Sequence, residues 1–374
     1  MNDLYVVPVA GGEARRITSD NAFIPGHAWT PDGSEIIFTS NRLGSKALWR
    51  ISLATGALKS VPGIGVDAYF IAISQRKHRL AYSAWFADTN IWRMTLKDPE
   101  AEGGNPVPII ASTVQDLSPQ YSPDGRRIAF RSNRSGFDEI WVADADGRNP
   151  VQLTSFRGPL TGTPRWSPDG NAIAFDSRPG RNADIYVVAS TGGASRRITF
   201  NVSDDVVPSW SGDSKWIYFG SNRTGSWQIW KAPIQGERDG GPSIQVTGRG
   251  GFAAFESLDQ KWLYYAKGLD VPGLWRVPLA GGEEQAVVQE LKARYWGYWA
   301  IATQGIYFLD PLPAAGCALK FFSLVSNEVS TIRMLSKQPP YADSGLAISH
   351  DASSILYPQI DHEGSDIMLV ENFR

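Results

Sequence analysis

The chain has 374 residues, with 36 Lys+Arg against 38 Asp+Glu and a formal net charge of −2. That balance excludes the broad basic field needed for general binding to nucleic acid or an anionic membrane. A hydrophobic content of 42% supplies a core and excludes general disorder, and the single cysteine, Cys317, excludes a disulfide scaffold or a zinc site built on cysteine pairs. The 37 Gly, 24 Pro and 14 Trp suggest many tight turns and large aromatic anchors, an all-β composition.

In chain order, the first residues, Met1-Asn-Asp-Leu-Tyr-Val-Val-Pro8, carry no basic region leading into an apolar one, so no secretory signal is read. No stretch approaches 18 apolar residues, so no membrane-spanning helix is read either. The expectation is a soluble, cytoplasmic and monomeric chain. Two short strands follow, Leu4–Val9 and Ala14–Thr18, within a segment that recurs. Asp3–Thr18 (DLYVVPVAGGEARRIT) and Asp184–Thr199 (DIYVVASTGGASRRIT) agree at ten of sixteen positions.

A second repeat sets the architecture. An aromatic residue followed by Ser/Thr-Pro-Asp-Gly occurs at Trp29–Gly33, Tyr121–Gly125 and Trp166–Gly170, with a degraded copy at Trp210-Ser-Gly-Asp-Ser214. Looser echoes begin near Phe70, Phe255, Trp299 and Ala347. The intervals from Trp29 onward are 41, 51, 45, 44, 45, 44 and 48 residues, the period of a four-stranded propeller blade. Each copy reads as a strand ending at the aromatic, then a turn in which Pro pre-sets φ and Gly takes the left-handed position. A second strand follows, such as Ile128–Arg131 or Ile173–Asp176. Then comes a Ser-Asn-Arg-x-Gly hairpin (Ser40–Gly44, Ser132–Gly136, Ser221–Gly225), a third strand with an aromatic, and an outer strand near Leu153-Thr154 or Val246-Thr247.

The predicted fold is therefore an all-β propeller of four-stranded antiparallel blades, one domain over residues 1–374. Blade starts fall near 29, 70, 121, 166, 210, 255, 299 and 347. Eight blades are expected, with seven as the alternative, and the strand 14–18 is expected to complete the last blade, which otherwise lacks its fourth strand. Starting in mid-blade leads to the further expectation that the chain is a fragment of a longer protein. Two insertions, Leu96–Pro108 and Leu309–Gly316, read as loop tips.

At these residues the chain resembles the TolB-like, WD-repeat-like propeller family. The motif matches well at Trp29–Trp49, Tyr121–Trp141 and Trp166–Tyr186, partly at Trp210–Trp230, and departs in the blades at Phe70, Phe255, Trp299 and Ala347. The wording of the sequence, including Ser365–Arg374, is also similar to the C-terminal propeller half of bacterial regulators that begin with a winged-helix DNA-binding domain. That resemblance implies a non-enzymatic sensor or interaction module, with a protein partner or small ligand at a propeller face. It gives no DNA-reading residue to this chain, so no nucleic-acid contact is expected of it.

The motifs for other chemistry are not found. There is no Gly-x-Ser-x-Gly elbow for a serine hydrolase. The histidines His27, His78, His350 and His362 form no metal-ligand spacing, and the segment around Asp361-His-Glu363 reads as a solvated turn. The Gly-Gly pairs read as hairpin turns rather than phosphate loops. No catalytic residue, metal or cofactor is expected. The alternative readings are a hydrolase or lyase with its site in the central funnel, and the accessory propeller of an enzyme like prolyl oligopeptidase.

Two residue sets are singled out. In the first, Arg42, Arg134, Arg178 and Arg223 recur with Asp116, Asp204 and Asp205; recurrence in every blade favours structural ion pairs that staple neighbouring blades over a ligand ring. The second set breaks the repeat near the channel-lining strands: His27, Gln120, Arg165 and Glu256, with the aromatic run Tyr295, Trp296 and Tyr298. Exposed rings in that run would suit a contact hot spot, whereas buried ones would be blade core.

Overall fold

A computed structural model describes residues 3–19, 22–42, 46–64, 67–96, 105–158, 160–180, 182–238, 240–313, 316–340 and 343–373. Most of the Leu96–Pro108 insertion and the middle of Leu309–Gly316 fall outside them. Among the described residues the chain forms six four-stranded sheets, one five-stranded sheet and one two-stranded sheet, with antiparallel neighbours. The four-stranded antiparallel sheet is thus the repeating unit; with the five-stranded sheet there are seven larger sheets among the described residues, where eight blades were expected with seven as the alternative.

Contacts divide the chain into two compact units. The first holds Met1–Ala87, Arg157–Pro159 and His362–Arg374, and the second holds Asp88–Phe156 and Leu160–Asp361. The physical basis is two unusually long strands, Leu80–Thr95 and Ser354–Val370, of 16 and 17 residues. Each is long enough to serve a sheet in either unit, where the repeat suggests two short strands.

In the first unit a four-stranded sheet runs through His27–Trp29, Glu35–Ser40, Ala47–Ser52 and Leu58–Ser60. Leu4, Ile24, Ile36, Phe38, Trp49 and Ile51 form one core cluster. The strand Arg15–Arg16, inside the predicted 14–18 element, pairs with Tyr5–Val6 in the two-stranded sheet. Among the described residues it pairs with no strand of the sheet that holds Ala347–Ile348. Arg16 binds Asp3, and Thr18 receives the Leu4 N–H at 2.9 Å, so the segment is held by its own hairpin. Ala68–Ile73 pairs with the first half of Leu80–Thr95, and residues 362–370 lie in the same sheet.

The second unit carries five complete sheets, beginning with Asp116–Tyr121, Thr161–Trp166, Asp205–Trp210, Ala254–Glu256 and Trp299–Ala302. Its sixth sheet takes Ala347–Ile348 and residues 354–361 from late in the chain, and residues 88–95 and Val107–Ile110 from much earlier. Each apolar cluster lies between successive sheets: Ala129, Ile140, Trp166 and Phe175 between the first and second, Ala174, Ile185, Trp210 and Phe219 between the second and third. Ile91, Ile110, Tyr121, Phe130 and Leu356 pack the sixth sheet against the first. Apolar residues that alternate in each strand thus point into a shared core on both faces of every sheet.

The turn chemistry explains the repeat. Gly33, Gly125 and Gly170 have φ of 69°, 70° and 72°, the left-handed region that Gly enters at no steric cost. Within each turn the Asp carboxylate accepts from the preceding hydroxyl and from an N–H two residues on, as Asp124 does from Ser122 and Arg126. These bonds to the ionised form hold Asp124, Asp169 and Asp213 below the usual carboxylate range.

Candidate functional site

Inner-strand bulges bring the site together. In the first three sheets of the second unit the register slips between Leu117 and Gln120, Gly162 and Arg165, and Val206 and Ser209. One residue in each bulge takes a left-handed conformation: Ser118 (φ 52°), Thr163 (φ 49°) and Val207 (φ 54°). For β-branched Thr163 and Val207 that is strained backbone. The Asp176 carboxylate offsets it by accepting from Thr163 Oγ1 and from the Val207 N–H at 3.3 Å. Burial pushes the Asp176 carboxyl up. A bulge re-aims the side chains beyond it, and here it places Gln120, Arg165 and Ser209 at equivalent positions, each one residue before an aromatic.

These three residues line a cavity of about 550 Å³ at the end of the unit that carries the Pro-Asp-Gly turns. All six sheets contribute to its wall, with Phe255 and Glu256 from the fourth, Thr303 from the fifth and His350 from the sixth. The volume falls within the range of small-ligand and peptide pockets.

Glu256 is fully engaged: its Oε2 accepts the Gly212 N–H at 2.7 Å and its Oε1 accepts the Tyr218 hydroxyl at 2.8 Å. It is the one carboxylate among the described residues of the wall, so no pair of carboxylates faces a bond there as glycoside hydrolysis would need. Gln120 Oε1 accepts the Trp166 N–H at 2.6 Å, tying the first sheet to the second.

Arg165 differs from its neighbours. Only 6% of it is exposed, and its guanidinium lies over the Phe255 ring at 4.9 Å. Nη1 donates to the Pro164 carbonyl at 3.2 Å, Nε has no partner, and no carboxylate lies within ion-pair distance among the described residues. Burial pushes its pKa down to about 10, outweighing the attraction of the Asp343 and Asp176 carboxylates, neither of which pairs with it. Ser209, 3% exposed, also has an Oγ without a partner. Ser209 was missed in the sequence. The signal was available, since it is the polar residue before the blade-start aromatic, as Gln120 and Arg165 are.

The remaining candidates lie elsewhere. His27 belongs to the first unit, where it is exposed on its edge strand and opposite Phe38. Tyr295, Trp296 and Tyr298 are 7%, 6% and 0% exposed, so the run is core and not a surface patch. Trp296 meets Phe252 edge-on at 4.8 Å, Tyr295 tilts against Tyr298, and the Tyr298 hydroxyl donates to the Pro340 carbonyl at 2.6 Å. The intervening Gly297 bridges in parallel to Ser344, and a Cβ there would lie 2.4 Å from the Ser344 Cα. That close backbone approach draws the flanking rings inward.

The Arg–Asp pairs do form, but two of the three join strands of one sheet. Arg134 reaches Asp116 at 2.7 Å and Arg223 reaches Asp205 at 2.9 Å. The register explains both: Asp116 lies opposite Ser132 and Asp205 opposite Ser221, and the arginine follows two residues later. In the second sheet Thr161 takes the Asp position, and Arg178 instead bridges to Asp204 at 2.8 Å, beside the next sheet. Arg134 and Arg223 also donate Nε to their hairpin serines and lie over aromatic rings, Arg223 over Phe219 and Trp230, Arg134 over Phe130 and Trp141. Arg42 does the same in the first unit, with Ser40 at 3.1 Å and the Phe38 and Trp49 rings at 4.9 and 5.0 Å. These arginines are engaged by carboxylates, serines and rings of the protein itself, and the cavity lies at the other end of the sheets.

A family profile described as the TolB beta propeller domain matches residues 77–268. The chain belongs to that family. It is 39% identical over 142 residues to the Tol-Pal system protein TolB of Bordetella pertussis, covering 38% of this chain and 32% of that protein. It is 39% identical over 80 residues to the protein of the same name from Thioalkalivibrio sulfidiphilus, covering 21% and 18%. The matched stretches thus span a third or less of those relatives. The solved structure of a putative TolB from Agrobacterium tumefaciens superposes with a TM-score of 0.59 at 18% identity, covering 74% of this chain and 99% of that one. That likeness establishes a propeller-like all-β fold.

Proposed function

We propose that the second unit is a closed six-sheet propeller whose Pro-Asp-Gly mouth docks a segment of a partner protein, as part of an assembly of the Tol-Pal kind. The observation that carries this reading is the 550 Å³ cavity, walled by all six sheets and bearing buried polar groups without partners. Closure is supported by the mixed origin of the sixth sheet and by its bonds to the first. Tyr121 Oη and Ser354 Oγ lie 3.1 Å apart, and Asp343 accepts from Ser118 and Arg131 at 2.9 and 2.7 Å. A place within a winged-helix regulator rests on sequence resemblance alone. A funnel enzyme finds little support in a wall whose single carboxylate already accepts two hydrogen bonds.

The test is site-specific photo-crosslinking of the full chain in its native cells. A photoreactive residue replaces Leu258, 65% exposed on the cavity wall, or Ser135 on an Arg hairpin at the other end. A discrete protein adduct from position 258 and none from 135 supports the reading. An adduct from 135 alone, or from neither, overturns it.

A further inference from the structure

An arginine that is buried, lines a cavity and forms no ion pair is costly to keep. Moving a guanidinium out of water costs several kcal/mol unless a partner charge or a set of hydrogen bonds replaces the lost hydration. Arg165 has one hydrogen bond, to its own neighbour's carbonyl, and the face of one ring. The largely covered Arg131 and Arg223, with side chains 13% and 10% exposed, are paired, Arg131 with Asp343 and Arg223 with Asp205 and Glu237. Arg165 is the exception, and it stands in the wall of the cavity.

A second observation concerns the next sheet. Ser209 occupies the position equivalent to Arg165, lines the same cavity and is 97% buried by the same measure, 3% exposed, with its hydroxyl unpartnered. Buried polar atoms are nearly always hydrogen-bonded, so the unpartnered Arg165 Nε and Ser209 Oγ at equivalent positions of adjacent sheets mark a place left for something else.

We infer that Arg165 and Ser209 form a carboxylate-binding site inside the funnel. A guanidinium edge matches the two oxygens of a carboxylate, and a hydroxyl adds a third donor. The charges near Arg165 favour a monoanion over a phosphate: Glu256 in the wall is negative with its oxygens already occupied, and the Asp343 and Asp176 carboxylates also act on the single positive charge of Arg165. The inference rests on the proposed docking mouth for its setting, since a carboxylate there would be an acidic side chain or chain end of the inserted segment. A free small carboxylic acid has the same chemistry and is the other source.

The full chain is tested by thermal melting and NMR titration at fixed ionic strength, with two probes and their neutral counterparts. One probe is the capped peptide acetyl-Gly-Gly-Glu-Gly-Gly-amide against its Gln analogue, and the other is glutarate against glutaramide. At least one carboxylate is expected to raise Tm by about 2 °C or more at saturation, its amide not at all. R165M should abolish the shift while melting at or above the wild type, because replacing an unpaired buried charge by an apolar chain of similar shape relieves desolvation. S209A should fold and weaken the shift, and carries the test if R165M does not fold. No shift with either carboxylate, or a full shift in both variants, overturns the inference. A shift with glutarate alone keeps the carboxylate site and counts against the partner segment. A crosslink at position 258 that R165M leaves intact does the reverse.

Discussion

The backbone N–H of Gly212 donates to Glu256 Oε2 at 2.7 Å, joining the first turn of one sheet to the inner strand of the next. The three intact copies of this turn carry Pro at that position, Pro31, Pro123 and Pro168. Proline has no N–H to give, so the departure from the repeat at Trp210–Ser214 follows from this bond. Gly212→Pro, which restores the repeat, is expected to destabilise by about 2 kcal/mol through loss of a hydrogen bond to a charged acceptor. Ser214, at φ 59° where the other copies have Gly, should behave oppositely. Ser214→Gly is expected to stabilise by about 0.5–1 kcal/mol. Urea midpoints of the two variants check both signs.

Asp343 accepts from Arg131, Ser118 and the Ser344 N–H, at 2.7, 2.9 and 2.7 Å. Both charged partners are 13% exposed at their side chains. Asp343→Asn keeps the shape and removes the charge, leaving Arg131 with Asp138 at 3.8 Å. The expected loss is about 3 kcal/mol, the cost of uncovering a largely buried charge. Denaturant unfolding measures it, and a loss under about 1 kcal/mol would show that the pair is solvated.

The aromatic run should respond as core. Trp299→Ala, at 1% exposure, is expected to cost about 3–5 kcal/mol. Tyr298→Phe leaves the Pro340 carbonyl without its donor and should cost about 1 kcal/mol. Neither change should alter the glutarate or peptide titration at temperatures where the variant is folded. A Tyr298→Phe variant of unchanged stability and lost titration would return these rings to the binding surface.

Asp184 provides a pH test. Its Oδ2 accepts from Arg197 at 2.6 Å but its Oδ1 has no donor, and burial pushes the carboxyl from 3.8 up to about 6. The folded state therefore holds this proton more tightly than the unfolded state. Between about pH 4 and pH 6 the folded chain binds more protons, and this group's contribution to stability falls as pH rises. The advantage of wild type over Asp184→Asn should be largest below pH 4 and shrink through that window. Denaturation of both proteins at several pH values measures the difference, and an advantage that grows with pH would contradict the assignment.

The repeat was legible because a Pro-Asp-Gly turn leaves few backbone choices, and an aromatic at fixed spacing has to face the next sheet. What failed was the bookkeeping of strands at the ends. Leu80–Thr95 and Ser354–Val370 carry no Pro or Gly signal that divides them cleanly, apart from Pro358 and Gly364, so one long strand reads as the start of a blade. Burial in the Tyr295–Trp299 run was signalled by Gly297, a residue that marks close backbone approach as readily as flexibility. Gln120, Arg165 and Glu256 were found because each interrupts the repeat beside the channel. That Arg165 forms no ion pair among the described residues could not be read, because the groups that surround it come from sheets far apart in the chain.

The sixth sheet of the second unit has a consequence for synthesis. Asp361 accepts hydrogen bonds from Asn90 and Trp92, which precede it by 271 and 269 residues. At about 5–20 residues per second the ribosome needs tens of seconds to make the intervening chain. Throughout that time the strand at residues 88–95 has one edge with no permanent neighbour, open to pairing with another nascent chain. A cell expressing this protein must either shield that edge or clear chains that terminate before Ser354, and the acidic, Pro- and Gly-rich residues that follow the strand supply a composition poorly suited to such pairing.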